Sequence, residues 1–127
     1  MSYIFSNFIS SKEIYAIKGY DDLINAFKLL DIDMLEIGKS SGKKPIYAVL
    51  LGNENAEKRF VVTSGHHGNE RAGVLACYWL VKEFVISKSN ILDKAYISVI
   101  PCIDPDSFDP VSYTHLRAHE TRHDLVC

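Results

Sequence analysis

One stretch restricts the fold more than any other: two short apolar runs flank a long apolar segment, with turn residues between them. Arg59-Phe60-Val61-Val62-Thr63-Ser64 is β-branched and nearly continuously apolar, as a central strand covered on both faces is. Gly65 stops it. From Ala72 to Phe84, the residues Val74, Leu75, Cys77, Tyr78, Trp79, Leu80, Val81 and Phe84 surround a helix almost completely, which implies deep burial against a sheet. Ser87-Lys88-Ser89-Asn90 ends that helix. Ala95-Tyr96-Ile97-Ser98-Val99-Ile100 then reads as a second buried strand, closed by Pro101. Strand, helix and strand at these lengths predict a parallel βαβ unit with a right-handed crossover.

Upstream, Asp21-Asp22 supplies an acidic first turn to a helix running through Leu23–Leu30 and ending near Asp31. Met34-Leu35-Glu36-Ile37-Gly38 and Ile46-Tyr47-Ala48-Val49-Leu50-Leu51 read as a hairpin joined by the polar turn from Lys39 to Pro45. That turn is not a phosphate-binding loop. The second glycine is missing at the required spacing, and Lys43-Lys44 is followed by Pro45 instead of Ser or Thr, so it reads as a solvated turn.

Composition excludes several classes of function. With 127 residues, the chain makes one domain at most, or a piece of one. An apolar content of 47% is too high for a disordered tail, and 14 Lys and Arg against 16 Asp and Glu argue against a nucleic-acid partner. No apolar run is long enough to span a bilayer, and the opening residues lack a basic region followed by an apolar stretch. No membrane partner is expected, and a cytoplasmic location is favoured. Cys77, Cys102 and Cys127 are too scattered for a disulfide framework, so reduced thiols are expected, with a Cys77–Cys102 bond left open.

The segment from Val111 to Cys127 is set apart from the fold. His115, His119 and His123 recur every fourth residue and suggest a metal-binding helical face. Back-translated, however, Val111 to Thr121 resembles the transposon-end adapter used to build sequencing libraries, and Leu125-Val126-Cys127 fits the adapter's continuation in frame. The expected organisation is therefore a truncated catalytic domain over residues 1–110 and a non-native tail over 111–127. His115, Arg117, His119, Glu120 and Arg122 are accordingly given no functional role.

Chemistry concentrates in Gly65-His66-His67-Gly68-Asn69-Glu70-Arg71, between the first strand of the βαβ unit and its helix. In an open α/β sheet this is the carboxyl edge, where ligands bind. His67 and Glu70 are three residues apart and can offer one imidazole nitrogen and one carboxylate to a single ion, a donor set that suits zinc. His66 is the alternative imidazole, less favourably directed. Gly65 and Gly68 are expected to let the backbone turn sharply and to leave space beside the ion.

Three stretches together resemble the carboxypeptidase A-like family of zinc metallopeptidases. Gly65-His66-His67-Gly68-Asn69-Glu70 is similar to its Gly-x-His-x-x-Glu metal motif. Glu36 to Tyr47 is similar to its hairpin motif, and Ile100-Pro101-Cys102-Ile103-Asp104-Pro105-Asp106-Ser107-Phe108 to its Asn-Pro-Asp-Gly-Phe segment. The likeness covers roughly residues 20–109. It implies the N-terminal part of a mixed-sheet, phosphorylase/hydrolase-like α/β/α fold, with Zn2+ as cofactor and His67 and Glu70 as its first two ligands. It also implies hydrolysis of peptide bonds at the C-terminus of a peptide substrate. The family's third ligand, its general-base glutamate and its substrate arginines fall beyond Pro110. Asp104 stands where the family has Asn, and Ser107 where it has Gly, a change that implies either strain in the turn or a divergent branch. His67-Gly68-Asn69-Glu70 also resembles the aspartoacylase and succinylglutamate desuccinylase group, which implies an N-acyl amino acid substrate as the alternative. A third reading is an inactive, aggregation-prone fragment, because two ligands fall short of the usual three and a half-sheet exposes an edge.

Overall fold

The computed structural model describes residues 16–109. The opening residues, the tail from Val111 with His115, His119 and His123, and Cys127 lie outside the described residues. The element order is α1 (Tyr20–Lys28), β1 (Asp33–Lys39), β2 (Pro45–Gly52), β3 (Lys58–Thr63), α2 (Arg71–Ser87), α3 (Ile91–Lys94), β4 (Ala95–Ile100) and α4 (Pro105–Phe108). The four strands form one mixed sheet in the order β1-β2-β4-β3.

β1 and β2 make the expected antiparallel hairpin, with Leu35 opposite Ala48 and a bulge between Glu36 and Gly38. β2 pairs antiparallel with β4, setting Val49 against Val99. β4 pairs in parallel with β3, setting Val62 against the same Val99. Parallel β3 and β4 joined through α2 are the βαβ unit expected from the sequence. It puts both strand ends, at Thr63 and Ile100, on one edge of the sheet.

The core lies on one sheet face. Val49, Leu51, Ile97 and Val99 project from it against Leu23, Ile24 and Phe27 of α1 and Val74, Cys77, Tyr78 and Val81 of α2. Phe27 is fully buried and meets Tyr78 edge to face, with centroids 5.2 Å apart and planes at 76°, a geometry worth about 0.5–1.5 kcal/mol beyond the area buried. Tyr20, also buried, donates its hydroxyl to the Pro45 carbonyl (2.7 Å) and ties α1 to β2. Burial pushes its phenol upward from the ordinary value, with the nearby Cys102 and Tyr47 adding to the shift.

Several expectations are corrected. β3 is an edge strand of the described sheet, with Phe60 53% and Val61 68% exposed, because β4 is its only described neighbour. β4 is not buried throughout: Ala95, Ile97 and Val99 are buried while Tyr96, Ser98 and Ile100 are half-covered, the alternation of a strand with one packed face. The first helix stops at Lys28. Leu29 is left exposed beyond it, and Asp31 turns the chain at φ +55°. The expectation of reduced thiols holds: Cys77 and Cys102 are both free and buried.

The 40–44 turn is not simply solvated. Asp106 of α4 accepts from the Ser40 hydroxyl (2.9 Å) and the Gly42 amide (3.0 Å), and Lys44 pairs with Asp109. Among the described residues no helix is long and apolar enough to cross a membrane.

Candidate metal site

The carboxyl edge of the β3–β4 pair carries two loops that are stitched together. Beyond the strands, Ser64 N–H donates to the Ile100 carbonyl (3.1 Å), Ile103 N–H to the Ser64 carbonyl (3.1 Å) and Asp104 N–H to the Gly65 carbonyl (2.8 Å). These bonds extend the parallel pairing until the chains diverge, one into residues 65–70 and the other into α4. Gly65 has φ +66°, a left-handed conformation that glycine adopts without strain.

Gly68 does something other than leave room for an ion. A Cβ there would stand 2.8 Å from the Phe108 amide nitrogen, 3.1 Å from the Ser107 carbonyl carbon and closer still to the Asp104 carbonyl oxygen. Its hydrogen side chain lets the loop lie directly on α4. The departures at Asp104 and Ser107 are absorbed there. Asp104 caps α4 by accepting from the Ser107 amide, Pro105 occupies the first turn, and Ser107 is buried without a positive φ. The strain expected at Ser107 is absent because the segment is a helical turn.

On this base the polar side chains face a cleft of about 320 Å³ lined by Ser64, His66, His67, Glu70 and Arg71. The turn is closed by the Glu70 amide donating to the His67 carbonyl (2.8 Å). His67 and Glu70 are both exposed on this one cleft. The structure separates the two imidazoles: His66 Nε2 lies 3.0 Å from the Thr63 hydroxyl, so that ring is turned back onto β3. Both imidazoles line the cleft with Glu70, and among the two only His66 has this contact with β3.

A neutral imidazole and a carboxylate are the donor types of a zinc site, and an exposed pair sharing a cleft fits part of one. A full site needs a third protein donor. Among the described residues no three His, Cys, Asp or Glu side chains gather closely enough to hold an ion. Beneath the cleft, Cys102 is buried and its thiol is pushed up to about 12, first by burial and then by the Asp104 charge. Burial likewise raises the Cys77 thiol, partly offset by the Ser64 hydroxyl. Both stay protonated at neutral pH and are packing groups rather than thiolate ligands.

Arg71 closes the polar stretch of the sequence, where nothing in its spacing gives it a role of its own. Its Nη1 donates to the Phe108 carbonyl (2.9 Å) and its Nη2 to the Ile17 carbonyl (2.7 Å), while the guanidinium lies 4.2 Å from the Phe108 ring centroid. Asp106 and Asp109, which brace the hairpin turn and α1, escaped notice for the same reason: their partners are more than sixty residues away in sequence.

The comparisons bear on the family and the fold. A family model described as zinc carboxypeptidase matches residues 31–126. The fold is similar to bovine thrombin-activatable fibrinolysis inhibitor solved with tick carboxypeptidase inhibitor (TM-score 0.59, 18% identity, 68% of this chain and 32% of that one). It is similar to a second structure of thrombin-activatable fibrinolysis inhibitor (0.61, 19%, 73% and 26%). It is also similar to a protein of Shewanella amazonensis SB2B assigned to the metallopeptidases (0.53, 21%, 69% and 34%). The chain thus spans about a quarter to a third of the length of these structures. No curated protein sequence matches it.

Proposed function

The chain belongs to the zinc carboxypeptidase family, and on that premise we propose that it forms part of a peptidase site in which His67 and Glu70 are two protein ligands of a zinc ion. The observation that carries the reading is their shared exposure on one cleft at the carboxyl edge of β3, within the matched residues. When bound, zinc supplies Lewis-acid polarisation of a carbonyl and a lowered pKa for a coordinated water. His67 contributes an imidazole nitrogen, and Glu70 a carboxylate whose charge favours a cation. Gly68, between them, lies directly on α4 and so fixes the main chain that carries both side chains.

The substrate class we propose is a peptide cleaved at its C-terminus, and the family match favours this over an N-acyl amino acid. General base and substrate-carboxylate groups are assigned to no described residue. With two proposed donors among the described residues, residues 1–127 alone should bind zinc weakly and turn over peptides poorly.

Zinc content and competitive zinc titration of the protein, compared with His67→Ala and Glu70→Gln, test the assignment. Loss of affinity in both variants supports it. Unchanged affinity in His67→Ala refutes it.

A further inference from the structure

We propose that Arg71 is a positioning residue for Glu70, and that it is not available to bind a substrate carboxylate. The inference rests on the reading of His67 and Glu70 as zinc ligands. Arg71 lines the same cleft, and a guanidinium beside a metal site suggests a substrate anchor. Its hydrogen bonds say otherwise. Both terminal nitrogens donate to main-chain carbonyls, of Phe108 and of Ile17, and one face of the group lies against the Phe108 ring. Phe108 is 1% exposed and Ile17 5%, so neither partner can swing aside to release the arginine.

What this clamp holds is the backbone of Glu70. Glu70 is the N-cap of α2, yet its side chain makes no capping bond and its φ and ψ of −84° and 78° are outside the usual regions. The carboxylate is therefore not aimed by the helix it precedes. Two constraints fix the main chain that carries it: the turn bond to His67 on one side, and on the other Arg71, which pins the first residue of α2 to α4 and to the segment before α1. A planar fork reaching two fixed carbonyls locks rotation of that first turn in a way that a single ammonium cannot. Outer-shell groups bonded directly to a metal ligand change metal affinity by about 10–100-fold when removed, and Arg71, which acts through the main chain, should have a smaller effect.

The test is Zn2+ affinity by chelator competition for the full chain and for His67→Ala, Arg71→Ala, Arg71→Lys and Phe108→Leu, each checked for folding by circular dichroism. Binding of a short peptide with a free C-terminal carboxylate is measured in parallel. Arg71→Ala and Arg71→Lys should each weaken Zn2+ binding about 3–10-fold in folded protein, below the range for a direct outer-shell partner. Phe108→Leu, which removes only the ring, should shift it in the same direction and keeps the test open should Arg71→Ala fail to fold. Wild-type Zn2+ affinity in folded Arg71→Lys and Phe108→Leu overturns the proposal, most directly if peptide binding alone is weakened. Equal affinity in wild type and His67→Ala sinks the underlying zinc reading, an outcome distinct from failure of the Arg71 variants alone.

Discussion

Gly68→Ala isolates the contact on which the ligand loop rests. A methyl carbon keeps roughly 3.5–4.0 Å from non-bonded heavy atoms, whereas the added Cβ would meet the Phe108 amide nitrogen at 2.8 Å and the Ser107 carbonyl carbon at 3.1 Å. All the atoms in the way are main chain, so no rotamer change relieves the clash. Overpacking of this kind costs about 1–3 kcal/mol. Backing the loop away instead stretches the Asp104–Gly65 and Ile103–Ser64 hydrogen bonds, each worth about 0.5–1.5 kcal/mol. By either route the expected loss is about 1–3 kcal/mol, a sizeable share of the roughly 5–15 kcal/mol that stabilises an ordinary domain. Gly38→Ala is the matched control, because its Cβ would meet nothing within 4 Å, and it should change stability by less than about 0.5 kcal/mol. Urea unfolding followed by the fluorescence of the single Trp79 reads both. If Gly68→Ala proves as stable as Gly38→Ala, the loop does not rest on α4 as described.

The buried thiols predict a stability that declines in alkali. The folded Cys102 thiol is raised from about 9 to about 12, so stability is full below about pH 9 and is lost as pH climbs toward 12, by up to about 1.4 kcal/mol per unit. Urea midpoints between pH 8 and 11 should fall in wild type and fall less steeply in Cys102→Ala, with Tyr20 and Cys77 supplying the remaining slope; parallel slopes would show that Cys102 is not the group responsible. The adapter reading of residues 111–127 predicts that resequencing the source DNA across codons 105–115 runs past Asp109 into different residues. A locus that encodes Val111 to Cys127 followed by a stop contradicts it and returns His115 and His119 to consideration.

What the sequence discloses here is whatever repeats with a period or sits close in the chain. The hairpin, the βαβ unit and the 95–100 strand follow from alternation and from Gly and Pro punctuation, and their positions hold to within a residue or two. The proposed ligands His67 and Glu70 can be picked out because their spacing is local, and both line one cleft. The supports are not local. Asp106 reaches Ser40, Arg71 reaches Ile17, and Asp109 reaches Tyr20, and no periodicity records such pairs. Burial was the other weak point. Phe60 and Val61 have the composition of a covered strand, yet the described sheet ends beside them. That mismatch accords with a chain spanning about a quarter to a third of structures sharing its fold.

Within residues 65–71, exposure alternates with anchorage in a way that separates chemistry from stability. His66, His67, Asn69 and Glu70 are exposed, while Gly65 and Gly68 are buried and Arg71 is half-buried and clamped. An exposed imidazole or carboxylate contributes little to folding, so truncating one should cost within about 0.5 kcal/mol. The anchoring positions have no such freedom, since each touches main chain of the 102–108 segment. Substitutions at 67 or 70 should therefore abolish metal binding in a normally stable protein, whereas those at 68 or 71 should lower affinity and stability together. A site built this way can hold ligands ready without burying an uncompensated charge, because solvent stabilises the donors and the neighbouring turn fixes the backbone that carries them.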